Sequence, residues 1–332
     1  MIVLLSYPGD PITNNVIDWL HLAACKYKRI NLEEEDYRQL TVTINKKKST
    51  LQFGLKDGTC LKFDDVSMFF YRGGEFRSNL DQYKLEGLPE RMIKTHLSYE
   101  FNALVHHFYN EVSKKCLGAP FSPVNKLYQL QIAAKVGLNI PETVIINSKA
   151  MLSTWLKDHQ TSLISKSIQE NVLLQDTGGI HYDLKVQAIE KTELPEQFFP
   201  SLFQPAIKKS IEVRTFYLDG RFYSLAMLLD AANESITDYR TCTDRIRYAK
   251  YKLPAEVESR LNKFMKKMDL NTGSIDLAFD KAGVCYFLEV NPTGQIGWLS
   301  DYGNYFLEEK IARYLINKEL NFIKHASLPT TC

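Results

Sequence analysis

A mixed fold, part α/β and part α+β, is predicted by three observations. The chain opens strand, turn, helix: the apolar run 2–7 is followed by Gly9 and Asp10, and Pro11 can begin a helix carrying Val16, Ile17, Trp19 and Leu20. Beyond residue 120, helical stretches alternate with short extended runs and turn residues, as in a sheet with helices packed on it. Near the end, GSIDLAFDKAGVCYFLEVNPTGQIGW (273–298) alternates apolar and polar residues on both sides of a glycine turn, the pattern of an antiparallel hairpin.

With 332 residues the chain has room for two or three compact units, and its 45% hydrophobic and 24% charged residues are ordinary for a soluble globular protein. No run approaches the ~20 apolar residues needed to span a bilayer. The first ten residues, MIVLLSYPGD, lack a basic leader and are expected to form a strand, not a signal peptide. Six cysteines, Cys25, Cys60, Cys116, Cys242, Cys285 and Cys332, form no close pairs, which argues against zinc and a disulfide frame and fits a reducing cytosol. The formal charge of +2 and scattered Lys and Arg give no nucleic-acid footprint.

In chain order, LTVTIN and STLQFGL read as strands joined by a turn at 46–48, and VSMFFYRGG as a strand ending at Arg72, Gly73 and Gly74. That arginine suits an anion grip and a solvated strand end equally. A helix over about 88–115 follows, with Leu97, Phe101, Leu104, Val105 and Phe108 on its apolar stripe; His96, His106 and His107 share no ligand spacing with acids. Only one glycine stands in the first turn where a dinucleotide fingerprint wants three.

Pro120 and Pro123 mark a boundary. SPVNKLYQLQIAAKVGLNIPETVIIN reads helix, Gly137 cap, strand, with Lys126 in the first helical turn, where the dipole slightly disfavours a cation. Lys166 lies in the strand TSLISKSI, where a lysine is ordinarily a solvated tip. A loop with Gly178 and Gly179 follows, a weak signal for backbone contact with phosphate. LFQPAIKKSIEVRTFYLDGRFYSLAMLL reads strand, connection, then a hairpin turning at Asp219-Gly220, with Glu212 and Arg214 on one face. Asp238, Tyr239 and Arg240 fall in a polar stretch, YKLPAEVESRLNKFMKKMDL is an amphipathic helix, FLEEKIARYLI a closing helix, and 324–332 a frayed tail.

The final hairpin carries the sharpest chemistry. Glu289 and Asn291 are two apart on a strand, so they share a face. A turn centred on Ala282 and Gly283 sets Asp276 directly opposite Glu289, with Ile275, Leu277, Leu288 and Val290 on the other, apolar face. A slip of one residue would scatter the set. A single acid on a hairpin is ordinarily solvated, but two acids facing across a ladder repel unless a cation lies between them. Two carboxylates and an amide suit a hard cation such as Mg2+.

Taken in order, Lys126 before a helix, Lys166 on a strand, the Gly loop, QPAI, E-V-R, D-Y-R, then D and E-V-N on a hairpin resemble the ATP-grasp ligases over roughly 120–320. The opening strand with PITNNVIDWL, FFYRGG, SPVNKLYQLQIAAKVGLNIPET and FLEVNPTGQIGWLSDYG narrow the resemblance to the maturases of graspetides, side-chain-linked ribosomal peptides, of the grasp-with-spasm type. The resemblance implies an ATP-grasp fold behind a Rossmann-like α/β domain: 1–119 N-terminal, 120–195 central, 196–325 C-terminal, 326–332 a flexible tail. It implies ATP and Mg2+ as cofactors, and a cytoplasmic enzyme that activates Asp or Glu side chains of a ribosomally made precursor peptide as acylphosphates. These are then joined to Thr, Ser or Lys. By position, Lys126 and Lys166 would hold the phosphates, Gln204, Ala206 and Ile207 the adenine, Glu212 the ribose, and Asp276, Glu289 and Asn291 the magnesium, with Arg214 and Arg240 as catalytic cations. Pro205 stands where related ligases often carry an acid. The family further implies a homo-oligomer, with neither nucleic acid nor membrane as partner. A ligase joining a carboxylate to an amine on a free small molecule or protein terminus would share every ATP residue, and a non-catalytic nucleotide-binding module would have less need of every metal ligand.

Overall fold

The computed structural model describes all residues except 79, 85–86, 88, 121–124, 159–161, 169–173, 176–180, 183–186, 190–193, 230–245 and 327–332. The chain divides into two units: Met1–Ser122 with Gln295–Ser300 and Phe306–Cys332, and Pro123–Gly294 with Asp301–Tyr305.

The first unit is built on a parallel sheet of β1 (Ile2–Ser6), β2 (Tyr27–Asn31), β6 (Met68–Tyr71) and β7 (Cys116–Leu117) in the order β2-β1-β6-β7. Its first strand is buried at every residue, as expected of a parallel strand covered on both faces. After it comes α1 (Pro11–Leu22), whose N-cap Asp10 accepts from the Thr13 N–H at 3.0 Å with Pro11 just inside the helix. Between β2 and β6 lies the antiparallel sheet of β3 (Leu40–Ile44), β4 (Ser49–Gly54) and β5 (Cys60–Lys62). The long helix α2 (Glu90–Ser113) presses Phe108 and Val112 onto Phe53, Phe63 and Phe69, a core of edge-to-face rings.

Arg72, at the end of β6, is buried, with its Nε 3.7 Å from the buried Asp10 carboxylate. It is neither a solvated strand end nor an open anion grip. Gly74 takes φ +87° where an added Cβ would lie 2.5 Å from the Ser6 carbonyl, so only glycine fits this close approach.

In the second unit, α3 (Lys126–Lys135) is capped by the Asn125 side chain, which accepts from the Leu127 and Tyr128 N–H groups, and ends at Gly137, φ +85°. A first antiparallel sheet combines β8 (Val144–Ser148), β9 (Leu163–Lys166), β12 (Gln187–Ile189) and β13 (Gln197–Pro205) in the order β12-β9-β13-β8, with α4 (Lys149–Trp155) beside it. The short pair β10 (Leu174–Gln175) and β11 (His181–Tyr182) stands apart. The segment with Gly178 and Gly179 lies outside the described residues.

A second sheet, in the order β16-β15-β14-β17-β18, carries the candidate site. It comprises β14 (Lys209–Leu218), β15 (Arg221–Leu229), β16 (Ile246–Tyr251), β17 (Thr272–Asp280) and β18 (Cys285–Asn291). Its first hairpin turns at Asp219 and Gly220, both with positive φ, the primed turn whose twist matches the strands it joins. The helix α5 (Ala255–Lys267) covers the apolar face, where Phe264 meets Phe287 at 4.6 Å. The chain closes with α6 (Gly297–Gly303) and α7 (Leu307–Ala326), the latter packed along α1 within the first unit.

The last hairpin departs from the expected register in one respect. Near its turn the partners are Leu277↔Phe287 and Phe279↔Cys285, half a step away from a turn centred on Ala282 and Gly283. A β-bulge at Leu288 then shifts the pairing so that Asp276↔Glu289 and Ser274↔Asn291 face each other. The apolar face is consequently made by Ile275, Leu277, Phe287 and Val290, each at most 1% exposed, and Leu288 is only half-buried.

Candidate active site

Five side chains form one row across the second sheet: Lys250 on β16, Leu225 on β15, Arg214 on β14, Asp276 on β17 and Glu289 on β18 are successive cross-strand partners. Cross-strand partners project to the same face, so the ladder gathers Arg214 and both carboxylates. The Arg214 Nη1 lies 2.6 Å from the Asp276 Oδ1. The next row adds Ser274 opposite Asn291, and the row on the other side carries Glu212.

Two lysines reach this row from other elements of the unit. Lys126, 7% exposed at the start of α3, places its Nζ 2.9 Å from Glu289. The cation that the helix dipole disfavours is thus neutralised by a carboxylate. Lys166 ends β9, and burial holds its ammonium below the usual lysine range, with Asp276 and Glu289 pulling the other way and Lys126 and Lys209 adding to the depression. Glu212 is held by Lys209 at 2.6 Å, one helical-style step earlier in the chain but here across a β-bulge.

The two facing acids differ sharply. Burial pushes the Asp276 carboxyl up to about 7; Arg214 opposes that, and Glu289 and Glu212 reinforce it. Burial works on Glu289 in the same direction, but Lys126 outweighs it and keeps Glu289 below the usual carboxylate range. Burial and the neighbouring carboxylates thus favour a neutral Asp276, while the Lys126 ammonium favours an ionised Glu289.

The donor set fits a hard divalent cation. Asp276, Glu289 and Asn291 supply oxygen on one face, and beside them the Ser274 hydroxyl is 1% exposed with no hydrogen-bond partner among the described residues. The Asn291 Oδ1 accepts from the Thr293 N–H at 2.9 Å and, more weakly, from the Thr293 hydroxyl at 3.4 Å, which fixes the amide. Gly294 closes the turn so tightly that an added Cβ would meet the Ser274 Cβ at 2.6 Å. No group of three His, Cys, Asp or Glu side chains that could hold a metal ion gathers among the described residues; this site offers two carboxylates, an amide and a hydroxyl. A surface concavity of about 400 Å³ along α2, lined by Glu90, Arg91, Lys94, Thr95 and Ser98, includes none of the site residues.

The linker after β13 is partly spent on the fold. Gln204 is 1% exposed and donates to the Thr143 hydroxyl at 2.8 Å, the Ala206 N–H donates to the Ser162 carbonyl, and the Ile207 carbonyl accepts from Lys209. Arg240, with Asp238 and Tyr239, lies outside the described residues.

Three residues at the site are absent from the sequence reading. Ser274 stands two before Asp276, Lys209 three before Glu212, and Gln129 three after Lys126. The spacings of Ser274 and Gln129 put each on the same face as a recognised partner, so periodicity alone would have found them; Lys209, three before Glu212 on a strand, reaches it only through the bulge, which no period marks. Gln129 is 1% exposed, and its amide both donates to the Val290 carbonyl at 3.0 Å and accepts from the Val290 N–H at 2.9 Å.

No protein-family model matches the chain, and no curated protein does. Solved structures do match along nearly its whole length. An ATP-grasp ligase from Chryseobacterium gregarium, RiPP-associated and in complex with ADP and a leader and core peptide, is 20% identical with a TM-score of 0.77, covering 96% of each chain. The macrocyclase MdnC from Microcystis aeruginosa, bound with precursor peptide MdnA, is 22% identical with a TM-score of 0.74, covering 95% of this chain and 99% of that one. The ATP-grasp ligase PsnB, complexed with minimal precursor, Mg and ADP, is 14% identical with a TM-score of 0.69, covering 96% of this chain and 97% of that one.

Proposed function

We propose, from the ATP-grasp fold that this chain shares with those ligases, that it is an ATP-dependent ligase acting on a ribosomally made precursor peptide. It activates an Asp or Glu side chain and joins it to a Thr or Ser hydroxyl or a Lys amine of the same peptide. The observation that carries this reading is the convergence of Lys126, Lys166 and Arg214 on the Asp276–Glu289 pair, with Lys209 beside it on Glu212. A pure peptide binder has no need of so many buried and half-buried cations around two facing acids.

The chemistry follows from charge. A carboxylate is a poor electrophile until phosphorylated, and bringing it to a triphosphate crowds negative groups together. Transfer of the γ-phosphoryl group to the carboxylate oxygen gives an acylphosphate and ADP. Attack by the hydroxyl or amine then expels phosphate and leaves an ester or amide, with the nucleophile's proton lost. Bound Mg2+ would supply the charge that offsets phosphate repulsion. Asp276, Glu289 and Asn291 would hold it, and Lys126 and Lys166 would neutralise the phosphates. Arg214 and Arg240 neutralise the moving group or the acceptor acid. The adenine would use the Ala206 carbonyl and the Ile207 N–H, linker groups with no hydrogen bond to another backbone group among the described residues, and Glu212 the ribose.

The same reading assigns 1–119, 120–195 and 196–325 as N-terminal domain and two ATP-grasp lobes, and places a homo-oligomeric enzyme in the cytoplasm. No described helix is long and apolar enough to cross a membrane.

The test is co-expression with small acidic, Thr/Ser-containing candidate precursor peptides, followed by mass spectrometry. Loss of one water per ring, dependent on ATP, is expected. Consumption of ATP with no change in any peptide offered would sink the peptide reading and leave a small-molecule ligase in its place.

A further inference from the structure

The row that holds Arg214, Asp276 and Glu289 does not stop at the site. Two strands further out it ends at Lys250, separated from Arg214 only by Leu225. At about 4.8 Å per strand, Lys250 lies ~10 Å from the Arg214 position, on the same face. Tyrosines frame it. Tyr305 donates its hydroxyl to the Ser224 carbonyl at 2.6 Å, and the Lys250 Nζ sits 5.1 Å above the Tyr305 ring. Tyr302 stacks on Tyr248 at 4.3 Å and 16°, and is 62% exposed.

An edge lysine alone guards a sheet against unwanted strand pairing. Three features go beyond that role. The described residues of β15 and β16 carry Arg221, Arg247 and Lys250 and no acid, so this end of the sheet attracts negative charge; the acid nearest in sequence to the tyrosine pair is the exposed Asp301. The tyrosines give a large, rigid, partly exposed contact area, the side-chain type enriched at recognition surfaces. And the patch is continuous with the proposed reaction row, so whatever extends from an acid held at Arg214 along that row meets Lys250.

We propose that Lys250, framed by Tyr248, Tyr302 and Tyr305, seats a second acidic side chain of the substrate peptide while the first lies at Arg214. This rests on the peptide-ligase reading and deepens it: the enzyme selects segments with spaced acids. Side chains of an extended chain alternate in direction, so at roughly 3.3 Å per residue the same-face spacing that spans at least ~10 Å is about four positions.

The test uses short fluorescein-labelled synthetic peptides with one Thr and either a single Glu or two Glu four positions apart, titrated into the full chain at low salt and followed by anisotropy. The wild type is expected to bind the two-acid peptide roughly five-fold tighter, the scale of one partly exposed ion pair. Lys250→Gln abolishes the difference and Lys250→Arg keeps it. Tyr302→Ala weakens both peptides alike, and binding of a fluorescent ADP analogue is unchanged in all three. A Lys250→Gln protein that still prefers the two-acid peptide, or a wild type that binds both equally, overturns the inference and leaves the ligase reading standing. A wild type that binds the ADP analogue but neither peptide overturns both.

Discussion

Gln129 and Val290 exchange two hydrogen bonds, so that a side-chain amide on α3 stands in for a neighbouring strand along the outer edge of β18. Val290 lies between Glu289 and Asn291, and Gln129 lies one helical turn after Lys126. The bond pair therefore fixes the distance between the lysine and the carboxylate it meets. A second clamp works further along the same edge, where the Asn139 carbonyl accepts from the Phe287 N–H and its side chain donates to the Cys285 carbonyl.

Removing the first clamp should be visible locally. Gln129→Ala strands a buried N–H and a buried carbonyl, each worth about 1–3 kcal/mol unpaired. Hydrogen exchange at the Val290 amide is expected to speed up by roughly ten-fold or more. Unchanged protection there would mean that the edge is held by other contacts.

Lys166 separates stability from activity. Its ammonium is buried among groups that only partly compensate it. Lys166→Met removes a desolvation cost and is expected to raise the melting temperature of the nucleotide-free protein, while ATP turnover falls by about 10^2-fold for loss of a phosphate-facing cation. A lower melting temperature with turnover intact would contradict the assignment.

Asp276→Asn keeps the shape of the site and removes one ligand charge. In the wild type, Mg2+ and ATP together should raise the melting temperature by mass action, because they bind only the folded chain. The variant should lose most of that rise and about 10^2–10^3 in turnover. A rise equal to the wild type's would refute a metal role for Asp276.

Burial pushes the Cys285 thiol up to about 12, well above the ordinary cysteine value. A raised acid pKa leaves the neutral form dominant at lower pH, so at pH 8 only about one thiol in 10^4 is the reactive thiolate. Alkylation followed by peptide mapping is expected to label the exposed Cys60 first and Cys285 only when the hairpin opens. Equal labelling rates would show that the start of β18 is not buried in solution.

Much of the site was legible because strands have a period of two. Asp276, Glu289 and Asn291 share a face in the structure as their spacing requires, and Asp219-Gly220 turns the hairpin it predicts. The facing of Asp276 and Glu289 was nevertheless reached through a turn geometry the chain does not use, and only the bulge at Leu288 brings the two acids opposite each other. Bulges leave no mark in an alternating pattern. The pairing of Lys126 with Glu289, 163 positions later, was invisible for a different reason: it is a tertiary contact that no local period encodes. Arg72 illustrates the same limit, because its partner Asp10 also serves as a helix cap and offers no spacing that links the two.

The extra residue at Leu288 lets the two ends of one strand obey opposite parities. Toward the turn, β18 answers to the packing of Phe287 on Phe264; toward the Asn-Pro turn, it answers to oxygen ligands. Deleting Leu288 would therefore close the bulge into a regular ladder with Glu289 still opposite Asp276, so what the extra residue sets is the local bend and twist of the strand at the ligands. Anyone grafting this hairpin onto another scaffold must carry the irregularity along with the ligands.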